Sequence, residues 1–171
     1  PPAEHAVLQQ ALAALQARRA DEAERLASKV LKIQPAHIGA LHLVGLARLT
    51  QGRPREALAP LRSAASAGDN PAVETHLAIA LRQTGSIDEA RATLERAVTR
   101  QPPFPLAFHE LGVLLFAQRR LDEAQAVLER GLALAPAVAD LAVVLGGIHL
   151  DRCDRANAKL VFARALANSP G

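Results

Sequence analysis

Alanines recur at Ala23, Ala57, Ala90, Ala124 and Ala158, spaced 34, 33, 34 and 34 residues apart; Glu precedes the first four. A fixed period of this size marks stacked supersecondary units, each too small to bury its apolar face alone. Other small residues keep step with this ruler. Twelve positions before it stand Ala11, Gly45, Ala78, Gly112 and Gly146, and seven after it Val30, Ala64, Ala97, Gly131 and Ala165. Four after it come Ala27, Leu61, Leu94, Leu128 and Phe162. Each repeat splits into two amphipathic segments of about 14 residues with apolar positions at helical spacing. Helices cross closely only where side chains are small, so Gly or Ala is expected at each crossing, with larger residues filling the grooves.

The segments are punctuated consistently. Gly52, Gly85 and the pairs Arg18–Arg19 and Arg119–Arg120 mark the turn inside a repeat, and Pro35, Pro102, Pro136 and Pro170 close four of them. Asp-Glu pairs at 21–22, 88–89 and 122–123 suit the positive end of a following helix. The second repeat is one residue short and lacks its closing Pro. There Gly68 is expected to stop a helix, Asn70 to cap the next and Pro71 to begin it, with a local irregularity of twist. In QPPFPLAF (101–108) the Phe residues are expected to pack between repeats three and four.

Hydrophobic residues make up 50% of the chain but aromatics only 2%, which favours closely packed Ala–Leu helices over strands. The fold class is all-α: an α-α superhelix of five helix-turn-helix repeats with about ten antiparallel helices. The repeats run 4–37, 38–70, 71–104, 105–138 and 139–171 as a single domain. Acids and bases are interspersed despite a net charge of +3, as on a solvated helix surface, so no nucleic acid partner is expected. One cysteine, Cys153, rules out an internal disulfide. No apolar run is long enough for membrane insertion. The absence of an initial Met and of a signal-peptide pattern reads as a segment of a longer protein.

These residues resemble the tetratricopeptide repeat, a 34-residue helical hairpin with small residues at its eighth, twentieth and twenty-seventh places and Pro near its thirty-second. The usual aromatic places hold mostly Leu, Val, His or Ala. The resemblance implies a non-catalytic scaffold that binds a peptide or helix of a partner protein in a concave groove lined by first helices. Placed on the family pattern, the groove takes Leu8, Gln9 and Leu12 from repeat one and His42, Leu43 and Leu46 from repeat two. Repeat three gives His76, Ile79, Arg82 and Gln83, repeat four His109, Glu110, Val113 and Phe116, and repeat five Asp140, Val143, Val144 and Gly147.

Two sub-types do not fit. The clamp for chaperone C-termini needs Lys, Asn and Arg where this chain has Leu8, Leu12, Leu43, Leu106 and Glu110; the asparagine ladder of O-linked N-acetylglucosamine transferases meets Gln9, Leu43, His76, Glu110 and Val144. A mostly apolar groove suits an amphipathic helix or apolar peptide. His42, His76 and His109 are expected to form a stripe, either contacting the partner or sensing pH, or simply replacing consensus residues. His149 and Cys153 are too few for a metal site, His149 filling an aromatic place and Cys153 the turn. No catalytic motif, cofactor or metal site is expected.

The alternative reading is the substrate-recruiting arm of a larger bacterial glycosyltransferase- or sulfotransferase-like protein. RNA binding of the pentatricopeptide kind is disfavoured by the lack of stacking platforms. The fifth repeat ends without a polar cap, leaving Leu160, Val161 or Leu166 partly uncovered, which implies further chain or self-association. The Ala-Arg-rich style fits a GC-rich bacterial genome, with a cytoplasmic or periplasmic location.

Overall fold

The computed structural model describes residues 2–168, with side chains from Glu4 onward. Among these residues every regular element is an α-helix. In chain order they are α1 (Pro2–Gln16), α2 (Ala20–Ile33), α3 (Ile38–Thr50), α4 (Pro54–Ser66), α5 (Pro71–Gln83), α6 (Ile87–Ala97), α7 (Pro105–Ala117), α8 (Leu121–Leu134), α9 (Ala139–Asp151) and α10 (Arg155–Asn168). Each repeat read from the sequence holds one helix pair. The chain divides into two compact units, residues 1–93 and 94–171, with the boundary inside α6.

All five ruler alanines are buried. The crossing rule holds in detail. A Cβ placed on Gly45 would fall inside the Leu61 side chain, one on Gly112 would lie 2.5 Å from Leu128 Cδ2, and one on Gly146 would enter the Phe162 ring. Where the second helix offers only Ala27, the first carries Ala11, and both are fully buried in one cluster with Leu26, Leu43 and Val44. A large residue thus faces a glycine in repeats two, four and five, and an alanine faces an alanine in repeat one, while repeat three sets Ala78 with Leu94 at the same positions, both buried. Leu43, placed on the groove by the family pattern, belongs to this core instead.

The five turns share one backbone solution. Arg18, Gly52, Gly85, Arg119 and Cys153 have φ of 58°, 71°, 89°, 60° and 60°. The next residue's N–H then donates back to the carbonyl five before it, as in Arg19 to Ala14 (2.8 Å), Ser86 to Leu81 (2.9 Å) and Asp154 to His149 (2.8 Å). This is the Schellman closure, which calls for left-handed geometry at the residue after the cap. Three of the five positions hold a side-chain-bearing residue in a region that costs it about 1–2 kcal/mol. Cys153→Gly is therefore expected to raise stability by about 0.5–1 kcal/mol, and Gly85→Ala, whose Cβ meets nothing within 4 Å, to lower it by about 1 kcal/mol. Urea unfolding midpoints check both signs.

Asn70 caps α5 as expected, its Oδ1 accepting from the N–H of Ala72 (2.9 Å) and of Val73 (3.4 Å). Pro60 lies buried inside α4, where the sequence pattern gave no warning. A proline there removes the N–H that the carbonyl four residues earlier would accept. That carbonyl, on Glu56, accepts instead from Arg48 Nη1 at 3.0 Å.

Phe108 is 1% exposed and packs under Gly131 of α8, whose added Cβ would lie 2.8 Å from Phe108 Cβ. Pro35 follows α2, Pro102 follows α6 and Pro136 follows α8, whereas Pro170 lies outside the described residues.

Candidate functional site

In the N-terminal unit the first helices α1, α3 and α5 lie side by side, with α3 between its two neighbours. Their apolar stripes are divided between core and surface. Leu8 is half-buried against the cluster of Ala11, Leu26 and Leu43, while Leu12 is 46% exposed and Gln9 is exposed, its amide nitrogen 2.9 Å from His5 Nε2. Leu46 on α3 and Ile79 and Arg82 on α5 are half-buried, and Gln83 is exposed.

Between α3 and α5, His42 Nε2 and His76 Nδ1 share a hydrogen bond of 2.8 Å, with ring centroids 5.0 Å apart. The spacing of 34 residues equals the repeat step, so equivalent turns of neighbouring first helices bring the two rings together. Burial pushes the His42 pKa below its ordinary value. The unfolded chain therefore binds a proton at this group before the folded chain does. Stability from His42 is complete above its unfolded pKa and falls as pH drops below about 6.5. Urea midpoints measured from about pH 7.5 to about pH 5.5 are expected to decline, and His42→Leu to flatten that decline.

The C-terminal unit places its first helices α7 and α9 in contact. His109 and Glu110 are half-buried, with His109 Nδ1 3.6 Å from Glu110 Oε1; Val113 and Phe116 are half-buried, and Val143 is 60% exposed. Asp140 is exposed, and Val144 and Gly147 are half-buried. The histidine stripe is thus joined at His42 and His76, while His109 belongs to the other unit. His149 is 7% exposed, its Nδ1 3.5 Å from Asp154 Oδ2, and Cys153 is exposed in the turn. Leu160 and Leu166 are 46% and 78% exposed, and Val161 is half-buried.

Two features escaped the sequence reading. One is a cleft of about 530 Å³ bounded by α8, α9 and α10, with Leu132, Leu145, His149, Val161 and Arg164 among its walls. The other is a set of polar struts joining successive repeats. Arg48 Nε donates to Glu24 Oε1 (2.7 Å), Arg53 Nη1 to Glu24 Oε2 (2.9 Å) and Gln51 Nε2 to Asp21 Oδ1 (2.7 Å). In the C-terminal unit, Arg152 pairs with Asp122 and Arg119 with Asp151. Burial raises the Glu24 pKa, but hydrogen bonds from Arg48 and Gln51, with the charges of Arg48 and Arg53, outweigh it and hold the carboxyl below its usual range. Two struts are equivalent: Asp21 and Asp122 lie in the first turns of α2 and α8, and their partners Gln51 and Arg152 close the ends of α3 and α9. Their exposed members contribute at most about 1 kcal/mol each.

Five helical hairpins with small residues at their crossings define a helical-repeat protein of the all-α class. Tetratricopeptide repeat models match residues 48–111 in one case and residues 8–72 and 109–171 in another. The chain belongs to the tetratricopeptide repeat family. No curated protein sequence matches it. Among solved structures it is similar to PilF of Pseudomonas aeruginosa, at 21% identity and a TM-score of 0.87, covering 99% of this chain and 78% of that one. A thermophilic tetratricopeptide protein of Thermus thermophilus gives 22% identity and a TM-score of 0.80, covering 98% and 92%. YrrB, described as having an unusual peptide-binding site, gives 21% and 0.69, covering 96% and 85%. At these identities the likeness is one of fold. Among the described residues no helix is long and apolar enough to cross a membrane.

Proposed function

We propose that the chain is a non-catalytic protein-interaction module whose first helices receive an amphipathic helix or apolar peptide of a partner. One observation carries this reading. In the N-terminal unit, three adjacent first helices leave Leu12, Leu46 and Ile79 only partly used by the core, with His42, His76 and Gln83 among them. Apolar anchors set among a few polar groups match a guest helix that presents residues at i, i+3 and i+4. The peptide-binding site named for YrrB supports peptide capture as an action of this fold.

The test uses peptides selected against the intact chain by display, with affinity read by fluorescence anisotropy. Leu12→Asp changes an exposed side chain and is expected to weaken binding at least tenfold, as is His76→Ala. Phe116→Ala on α7, and Gly147→Leu on α9, where an added Cβ meets nothing within 4 Å, probe the C-terminal unit in the same way. Unchanged affinity in all four variants, with loss on Arg164→Glu in the cleft of α8–α10, would overturn the proposal.

A further inference from the structure

We infer that the cleft bounded by α8, α9 and α10 is a small-molecule site for an elongated, electron-rich aromatic carrying one O–H or N–H donor at its far end. Repeat four supplies the template. There Phe108 lies beneath Gly131, and Arg130 holds its guanidinium carbon 5.7 Å from the ring centre. A step of 34 residues turns Phe108, Arg130 and Gly131 into Ala142, Arg164 and Ala165. All three of these later residues line the cleft. Repeat five therefore keeps the cation but lacks the benzyl group, whose place belongs to the cleft. A flat ring seated on Ala142 meets Arg164 as Phe108 meets Arg130, with a cation over its π face. The cleft volume of about 530 Å³ falls within the range of about 300–1,000 Å³ usual for small-molecule sites, and leaves room for more than one ring.

A second departure from the repeat lies further along α9. The equivalent places in repeats three and four hold Leu81 and Leu115, both buried, whereas repeat five sets His149 there, 7% exposed and on the cleft wall. An imidazole in an apolar place costs free energy unless its nitrogens find partners. Nδ1 faces Asp154 Oδ2 at 3.5 Å. Asn157 donates to both oxygens of that carboxylate, from its backbone N–H at 3.1 Å and from its side-chain amide at 2.7 Å. These bonds hold the Asp154 carboxyl below its usual range, so it stays charged and keeps the imidazole proton on Nδ1. The Nε2 lone pair is left for a donor in the cleft. Ala142 and His149 are two helical turns apart, about 10 Å along the axis, and Leu145 and Val161 wall the space between them. A bicyclic aromatic with a terminal hydroxyl or N–H has that reach. This inference stands apart from peptide capture, because the cleft lies in the C-terminal unit and needs no guest polypeptide.

The experiment titrates 2-naphthol with the intact chain at about pH 7.5, where a phenolic hydroxyl of pKa about 10 keeps its proton. Probe fluorescence reports binding, since the chain has no Trp or Tyr to interfere. One saturable site is expected, and 2-methoxynaphthalene, which lacks the donor, is expected to bind it at least fivefold more weakly. Ala142→Phe restores the ring of repeat four and is expected to weaken 2-naphthol binding at least tenfold. Arg164→Ala, an exposed change that keeps the test decisive if Ala142→Phe melts early, is expected to cost about threefold. His149→Leu is expected to remove the preference for the hydroxyl, and Leu12→Asp to bind as the parent does. The inference is overturned if the parent shows no saturable binding, if it binds both probes equally, or if Ala142→Phe and Arg164→Ala both match it. A display-selected peptide that loses binding on Ala142→Phe, while 2-naphthol does not, overturns it in favour of a polypeptide occupant.

Discussion

Leu128→Ala is expected to lower the stability of the chain by about 3 kcal/mol, Gly112→Ala by about 1 kcal/mol, and the two together by clearly less than the sum. Leu128 is fully buried, so truncation loses its transfer energy and opens a cavity, within the usual range of about 2–5 kcal/mol. Two effects oppose each other at Gly112. Alanine gains about 0.8–1.0 kcal/mol of helix propensity over glycine. Its Cβ, however, would sit 2.5 Å from Leu128 Cδ2 and 2.7 Å from Cγ, and relieving such overpacking costs about 1–3 kcal/mol. The clash wins while Leu128 is present. With Leu128 truncated, the new methyl fills part of the cavity and the propensity gain survives. The double variant then reproduces the Ala11–Ala27 crossing of repeat one. A favourable coupling of about 1–2 kcal/mol in a urea-unfolding double-mutant cycle checks this. Simple additivity would mean that the crossing residues do not constrain one another.

Phe108→Ala is expected to cost about 3–5 kcal/mol, the range for deleting a buried aromatic ring. Phe108 is 1% exposed and lies beneath Gly131, and Arg130 holds its guanidinium carbon 5.7 Å from the ring centre. Repeats in such arrays contact mainly their neighbours, so the damage should stay local. Hydrogen exchange is expected to lose protection in α7, α8 and α9 while α1–α4 keep theirs. A uniform loss along the chain, or a loss below about 1 kcal/mol, would contradict this assignment.

What the sequence disclosed follows from which constraints leave a chemical signature. A crossing needs a small residue whatever surrounds it, so Ala23, Gly45 and Gly112 announced the period and the helix pairs. The turns were half legible. Gly52 and Gly85 signal left-handed geometry, but Arg18, Arg119 and Cys153 adopt the same φ because closure of the hairpin outweighs their local cost. Pro60 defied a local rule because Arg48, a different helix's residue, takes up the orphaned Glu56 carbonyl. The struts were hidden for a related reason. Glu24, Arg48 and Arg53 look like ordinary surface charge until the hairpins stack. At the groove, the family pattern gave the first-helix residues as a set. It brought His42 and His76 together in one stripe, but it could not tell that Leu43 serves the core or that the two imidazoles share a hydrogen bond.

Backbone amide shift mapping by nuclear magnetic resonance, with a display-selected peptide added to the intact chain, tests the central claim most directly. The first-helix reading predicts perturbations concentrated in α1, α3 and α5, with Leu12, His42 and Ile79 among the largest. Shifts running along α2 and α4, or confined to the cleft of α8–α10 while the first helices stay silent, would contradict it.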